Sequence, residues 1–132
     1  MVEENTQYKT NEGKPLWLET IEFLKNVSPL PPLQKHEGLC KAAEAHAEDL
    51  SKKNTISHTG SDSSGPLERV SRFCKRSSGK TGENIGTDFK LKDRNIAENT
   101  VLGLVIDDGV KGRGHRHSIF DPDFAFYGSS TK

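Results

Sequence analysis

The segment from His36 to Asn54 constrains the fold more than any other part of the chain. One set of its side chains recurs at three- and four-residue spacing: Leu39, Ala43, His46, Ala47 and Leu50. This spacing places them on one face of an α-helix. Lysines at positions 52 and 53 fall in the last turn, where the helix dipole favours cations. We therefore predict a long amphipathic helix that buries one face, with His46 as a core histidine.

Shorter patterns predict the other elements. The expected helices are residues 16–27, a third helix that starts at Pro66 with Ser64 as its cap, and residues 94–108 closed by Gly109. Residues 28–33 are proline-rich and predict an extended connector. Strands are expected within 83–89 and 124–130, and the segment 111–118 is expected to be a loop. This order of elements favours an α+β or layered α/β/α domain.

Length and charge limit the function classes. The chain has 132 residues, and we predict a flexible tail over 1–14 followed by a single domain over 15–132. Its net charge is zero, which argues against nucleic acid or an anionic membrane as the main partner. No apolar run approaches the roughly 18 residues that span a bilayer, so we expect no transmembrane segment.

The two cysteines and the N-terminus leave alternatives open. Cys40 and Cys74 form no CxxC motif, so they are read as two buried thiols or as one disulfide. The first 14 residues are polar and carry no hydrophobic signal core. An intracellular protein and a secreted protein whose signal was removed both fit.

Four short stretches carry polar residues that a plain core does not need. They contain His58, Glu83, the pair Asp107 and Asp108, and His115 with Arg116 and His117. One interpretation is a cleft where imidazoles and a carboxylate hold zinc or another divalent metal. A second is that these groups only tie loops together, and a third is that they form a general acid/base pair. Because no nucleophile motif is present, covalent catalysis is not expected.

The ordered set of motifs resembles the CAP superfamily. The matching pieces are A-x-x-H-A-x-x-L at 43–50, I-S-H-T-G at 56–60, G-E-N-I at 82–85, the segment 105–120 with its GHR and IF, and F-x-x-x-G at 124–128. The superfamily includes cysteine-rich secretory proteins, insect antigen 5 allergens and plant pathogenesis-related class-1 proteins. The likeness covers roughly residues 16–130, and it is greatest to the compact subgroup common in bacteria and protists.

The resemblance implies a three-layer α-β-α sandwich with a small antiparallel sheet between the helices. The family usually continues past the terminal F-x-x-x-G, so the last strand is expected to be missing here or supplied by a partner. An unpaired sheet edge near the C-terminus is then expected to bind a protein. An extracellular location is the family default, and an intracellular one stays open.

The resemblance also implies a central cleft of two histidines and two acids. His58, Glu83 and His115 match family positions, and Asp107 or Asp108 is the only acid available for the fourth. His58 and His115 are the implied metal ligands, with Asn84 and Arg116 in supporting positions. Arg116 is expected to form an ion pair or pack, and His117 to face solvent.

Three functions remain as hypotheses. The first is a binding module that holds a divalent metal in the cleft and a lipid or sterol in an apolar groove. The second is a structural or interaction domain of a larger assembly. The third, a metal-assisted hydrolase, is the least favoured, so the chain is not expected to be an enzyme.

Overall fold

Five helices and one pair of short strands make up the described structure. The computed structural model of the chain describes residues 10–75, 79–87 and 95–132. The helices are α1 (Lys14–Asn26), α2 (Glu37–Lys53), α3 (Pro66–Phe73), α4 (Ile96–Ile106) and α5 (Gly114–Ile119). The strands are β1 (Gln34–Lys35) and β2 (Phe126–Tyr127). The mixed composition agrees with the α+β prediction.

The described residues divide into two compact units, each discontinuous in sequence. The first unit contains residues 10–28 and 95–119, and therefore α1, α4 and α5. The second contains residues 29–75, 79–87 and 120–132, and therefore β1, α2, α3 and β2. The predicted tail over 1–14 falls largely on residues 1–9, which lie outside the described residues.

In the first unit, a small set of side chains forms the interior. Leu16, Thr20 and Val105 are buried, together with Asp107 and Arg116. Thr20 satisfies its hydroxyl by donating to the Leu16 carbonyl, at 2.9 Å. Two of these buried groups carry formal charge, so the interior of this unit depends on polar contacts as well as on apolar packing.

The predicted end of α4 was wrong by two residues. Asp107, and not Gly109, is the C-cap: it adopts the left-handed conformation with φ 57°, and its N–H donates to Gly103 O at 2.8 Å. An aspartate tolerates this conformation better than most residues. Gly109 also has a positive φ, of 78°, but it belongs to the turn that follows.

The prediction of a loop over 111–118 was also wrong, because Gly114–Ile119 forms α5. The Asp107 carboxylate accepts from the backbone N–H groups of His115 and Arg116, at 3.0 and 3.4 Å. These are donors of the first helical turn, which need acceptors from outside the helix. Rules that identify helix caps from sequence examine only the residue next to the helix, so they do not find a cap seven residues before it.

In the second unit, α2 and α3 pack together, and their ends differ in part from the prediction. His36 caps α2 by accepting from Gly38 N–H at 3.1 Å. Gly65, and not Ser64, is the N-cap of α3, and its N–H donates to Glu68 Oε2 at 2.6 Å. Ser64 instead donates its hydroxyl to Asp62.

The strand pair of the second unit is parallel. Gln34 pairs with Phe126 and Lys35 with Tyr127. The antiparallel sheet implied by the resemblance is therefore not what the described strands form, since the chain returns to β2 through helices rather than through a hairpin. The predicted strand within 124–130 is present as β2. Residues 83–87 form no strand, and 88–89 lie outside the described part.

A close backbone approach explains the terminal glycine of the F-x-x-x-G motif. A Cβ at Gly128 would lie 2.2 Å from the carbonyl carbon of Leu39 and 2.3 Å from the backbone nitrogen of Cys40. At the other end of the motif, the Phe124 ring would lie 2.9 Å from a Cβ at Gly82. The backbone contact leaves room at position 128 for glycine alone, whereas a side chain at position 82 would require the Phe124 ring to move.

Candidate functional site

The predicted site residues are distributed over both units. His58, Glu83 and Asn84 belong to the second unit, whereas Asp107, Asp108 and His115 belong to the first. Each group is described by itself. In both groups a carboxylate contacts the Nδ1 atom of an imidazole.

In the second unit, Glu83 contacts both an imidazole and a guanidinium. Its Oε1 lies 2.8 Å from His58 Nδ1, and its Oε2 lies 2.6 Å from Arg69 Nη2. An ionised carboxylate only accepts hydrogen bonds, so Nδ1 of His58 carries the proton and donates. The His58 side chain is 56% exposed, whereas Glu83 is 20% exposed. The pair thus has a sheltered acid and an open imidazole.

Sequence reasoning missed Arg69, which holds this group together. Arg69 is 5% exposed and donates to the carbonyl oxygens of His58 and Ser64 as well as to Glu83. It therefore fixes both the acid and the loop that carries the imidazole. Local spacing gives no signal for it, because Phe73, which lies on the same face of α3 one turn later, is 42% exposed.

His46 is the buried histidine of this unit, as predicted. Its Nε2 lies 2.9 Å from Ser57 O, to which it donates, and 3.9 Å from Glu83 Oε1. Its Nδ1 has no hydrogen-bond partner within the described ranges. His46 therefore anchors the residue just before His58. Asn84 is half-buried beside Glu83.

In the first unit, the Asp107 carboxylate has three contacts with α5, two with His115 and one with Arg116. Its Oδ1 lies 2.7 Å from His115 Nδ1, and its Oδ2 accepts from the two backbone N–H groups described above. Asp107 is 3% exposed. Because the acid is buried and fully bound, it fixes the imidazole of His115 in one tautomer, with the Nδ1 proton donated to the carboxylate.

The two neighbouring aspartates have different contacts. Asp107 contacts His115, whereas Asp108 accepts from the backbone N–H groups of Asn11 and Glu12, at 2.8 and 3.1 Å. The resemblance left open which of them fills the fourth cleft position, and only the contact with His115 distinguishes them here. In the structure Asp107 makes that contact.

Arg116 forms the ion pair that the sequence predicted. It is 1% exposed and binds Glu19 through both terminal nitrogens, with Nη2 2.9 Å from Oε2 and from Thr20 Oγ1. Its guanidinium also lies 4.9 Å from the centre of the Phe23 ring. The hydrogen bond from Arg116 lowers the pKa of Glu19 below its ordinary value of 4.5.

His117 is exposed, as predicted, although it lies on a helix rather than on an extended segment. Its ring meets the Phe23 ring edge-on, with 6.5 Å between the ring centres. Three successive side chains of Gly114–Ile119 thus have three different surroundings: His115 contacts a buried carboxylate, the guanidinium of Arg116 is buried, and His117 is exposed to solvent.

Three further features of the described residues bear on the site: the grouping of potential metal ligands, the state of the cysteines and the length of the helices. Among them, no group of three or more histidine, cysteine, aspartate or glutamate side chains is arranged to hold a metal ion. Cys40 and Cys74 are free thiols, as one of the two readings predicted, but both are half-buried rather than buried. None of the described helices is long and apolar enough to cross a membrane.

Two open hollows lie in the first unit. One, of about 560 Å³, is lined by Glu12, Glu19, Gly109, Lys111, Gly112 and Arg113. The other, of about 460 Å³, is lined by Glu19, Glu22, Phe23, Asn26 and Val27. The walls of both are predominantly side chains that combine polar ends with aliphatic stems.

Comparison with models of known protein families identifies the family of the chain. Residues 27–131 match the model of the CAP family, the cysteine-rich secretory protein family. The chain belongs to the CAP family. No curated protein and no solved structure matches it. Family membership confirms the resemblance drawn from the ordered motifs, and it supports a CAP-domain module as the general description.

Proposed function

We propose that this CAP domain is a binding module in which the imidazoles of His58 and of His115, one in each unit, are each oriented to bind a divalent metal. One observation carries the proposal: in both residues Nδ1 is bound to a carboxylate, at 2.8 and 2.7 Å. Metal-binding histidines almost always donate their second ring N–H to such a partner, which fixes the tautomer and the ring orientation.

The carboxylates act as orienting groups in this proposal rather than as ligands. With Nδ1 protonated, each neutral imidazole keeps its lone pair on Nε2, and that nitrogen binds zinc and other divalent metals well. Glu83 is held by Arg69, and Asp107 is held by the backbone of α5. Both acids are therefore already committed to other donors.

The small number of protein ligands sets the expected strength. No three-residue ligand group is found among the described residues, so water would complete the coordination of an ion. We expect affinity well below that of a structural zinc site with four protein ligands. Zinc would act there as a Lewis acid or as an electrostatic anchor for an anionic ligand.

Isothermal titration with Zn²⁺ tests this proposal. We expect saturable heat for the wild-type chain, reduced heat for His58→Ala and for His115→Ala, and none for the double variant. His117→Ala is the matched control, because His117 is an exposed histidine two residues from His115 that contacts no carboxylate in the described residues. Equal heats for the wild type and the double variant would overturn the proposal.

Lipid or sterol binding is a second candidate function, supported by the exposed apolar side chains of α1. Trp17, Leu18, Ile21 and Leu24 are each more than 40% exposed. Exposed groups of this kind are typical of interaction or lipid surfaces. Trp17 is the single tryptophan, so a blue shift of its emission on adding phosphatidylcholine–cholesterol vesicles would report binding. Unchanged emission, or an equal shift in a Leu18→Ser/Ile21→Ser variant, would contradict this candidate.

The interaction-domain alternative is supported by the two-stranded sheet. Among the described strands, β2 pairs with β1 alone. Elution of the protein from its native extract at the size of a free monomer would count against this alternative. The hydrolase alternative requires turnover of an ester or peptide panel that is lost in Glu83→Gln.

A further inference from the structure

The turn between α4 and α5 binds the carboxylate of Glu12 through three donors. Oε1 of Glu12 accepts from Gly109 N–H at 2.8 Å and from Arg113 Nη1 at 2.6 Å, and Oε2 accepts from Arg113 Nη2 at 2.8 Å. An arginine that grips both carboxylate oxygens is the strongest and most directional form of this contact. The turn therefore forms a specific cradle for a carboxylate.

The cradle is held in shape by bonds that do not involve Glu12. Arg113 Nη1 also donates to the carbonyl oxygens of Asp107 and Val110, at 3.0 and 3.3 Å. Val110 N–H donates back to Asp107 O at 3.2 Å. Because the turn is closed by its own backbone and by Arg113, Glu12 occupies the cradle as a ligand does.

Charge around the cradle favours an anion. The adjoining hollow of about 560 Å³ is lined by two bases, Lys111 and Arg113, and by two acids, Glu12 and Glu19. Glu19 is engaged with Arg116, and Lys111 has no ion-pair partner among the described residues. When Glu12 is withdrawn, the walls retain one more base than acid, so they attract another carboxylate.

Asp108 selects a peptide over a simple anion. Its carboxylate accepts from the backbone N–H groups of Asn11 and Glu12, and so binds the chain that carries the incoming acid. A phosphate ion has no backbone N–H groups to replace these two donors, so it would leave the Asp108 carboxylate without them. A peptide segment with a glutamate side chain and a free preceding backbone satisfies both halves of the site.

We propose that Gly109, Arg113 and Asp108 form a binding site for an acidic peptide, and that Glu12 is its intramolecular occupant. Glu12 lies immediately before α1 and its side chain is 38% exposed, so a peptide can reach it from solvent. Arg113 and Gly109 hold the pKa of Glu12 at about 2, so the occupant is ionised at neutral pH. This site is distinct from the proposed metal ligands.

Displacement by a peptide tests the proposal, with the Gly109 amide as reporter. The ¹⁵N-labelled full chain, in EDTA, is titrated with an acetylated, amidated peptide of residues 10–14 and with its counterpart in which glutamine replaces glutamate. In Glu12→Ala we expect a saturable shift of the Gly109 cross-peak with the glutamate peptide. Binding should be at least about tenfold weaker with the glutamine peptide and in the wild-type chain.

Two further variants complete the design. Glu12→Ala/Arg113→Gln should lose the shift, and Glu22→Ala, an exposed acid on α1 bound to Asn26, should behave as the wild type. If Glu12→Ala does not fold by circular dichroism, Glu12→Gln takes its place under the same criteria. A folded variant whose Gly109 amide does not move, or moves equally with both peptides, overturns the proposal. Because EDTA is present, the result is independent of metal binding.

Discussion

Glu83 and Asp107 hold an imidazole in the same way but are themselves held differently. Glu83 is fixed by the side chain of Arg69, from a helix of the second unit, and its histidine is largely open to solvent. Asp107 is fixed by the backbone of the helix that also carries its histidine, and it is almost fully buried. The first arrangement depends on one long side chain, and the second on the path of the main chain. Substitutions in the two arrangements should therefore lower the free energy of unfolding by different amounts.

The largest loss of stability is expected when Arg116, a buried residue of the backbone-based arrangement, is replaced. Replacing Arg116 by methionine leaves Glu19 without its buried partner and the Val105 carbonyl without a donor. Glu19 is 46% exposed and water can solvate it, so the cost comes mainly from the carbonyls of Val105 and Ile106, each of which costs roughly 1–3 kcal/mol of unfolding free energy when it loses its donor. Urea denaturation measures it. Arg72→Met is the control, since its half-exposed pair with Asp62 contributes at most about 1 kcal/mol. A loss in Arg116→Met as small as that of the control would contradict the assigned role.

The second largest loss of stability is expected for Asp107→Ala, because Asp107 both caps α5 and adopts the left-handed backbone conformation. Loss of the cap costs roughly 1–2 kcal/mol, and an alanine in the left-handed region costs about 1–2 kcal/mol more. Asp107→Asn keeps an acceptor and tolerates this conformation, so it should cost less than half as much. Chemical denaturation of both variants gives the difference, and equal losses would contradict the cap.

Glu83→Gln tests the side-chain-based arrangement and should have a smaller effect on stability. We expect a loss of about 1–3 kcal/mol, because the buried Arg69 loses its counter-ion. The clearer signature of this variant is the tautomer of His58. NMR of the ring nitrogens should show the Nδ1–H form in the wild type and a mixture in the variant, with His115 unaltered. Unchanged His58 nitrogens would show that Glu83 does not orient this ring.

The smallest effect concerns pH and the exposed Glu12–Arg113 pair. The folded pKa of Glu12 is about 2, against an ordinary 4.5. A lowered pKa means that the pair stabilises the fold fully above pH 4.5 and is lost as the pH falls from 4.5 towards 2. The Gly109 amide shift should follow this titration in the wild type and be flat in Glu12→Gln. A wild-type midpoint near 4.5 would contradict the contact.

Much of the fold could be predicted from sequence, where the signal is local. The periodic spacing of α1 and α2 gave both helices to within two residues at each end. The helix α5 escaped prediction because its cap, Asp107, lies outside the helix and acts through a turn. The strand β1 was missed because two residues are too few to show alternation, whereas β2, also of two residues, lies within the strand predicted over 124–130.

The residues of the candidate site, too, could be predicted only where the sequence carries a local signal. The positions of His58, Glu83 and His115 were recognisable because their motifs occur in order along the chain. Arg69 was missed, since nothing beside it in sequence reveals that its partner is Glu83, fourteen residues later. Likewise, only the turn geometry distinguishes Asp107, which contacts His115, from Asp108, which contacts the N-terminal segment.

The discontinuity of the first unit has a consequence for synthesis of the chain. Glu19 and Arg116 are 97 positions apart, so their contact must wait until the 97 residues after Glu19 have been made. At typical rates of elongation this delay is roughly 5–20 s. During that time α1 has neither α4 nor α5 to pack against, and Leu16, which is buried in the folded unit, adds to its exposed apolar side chains. The newborn chain is therefore most vulnerable to aggregation through its first helix, and we expect chaperones to engage it there.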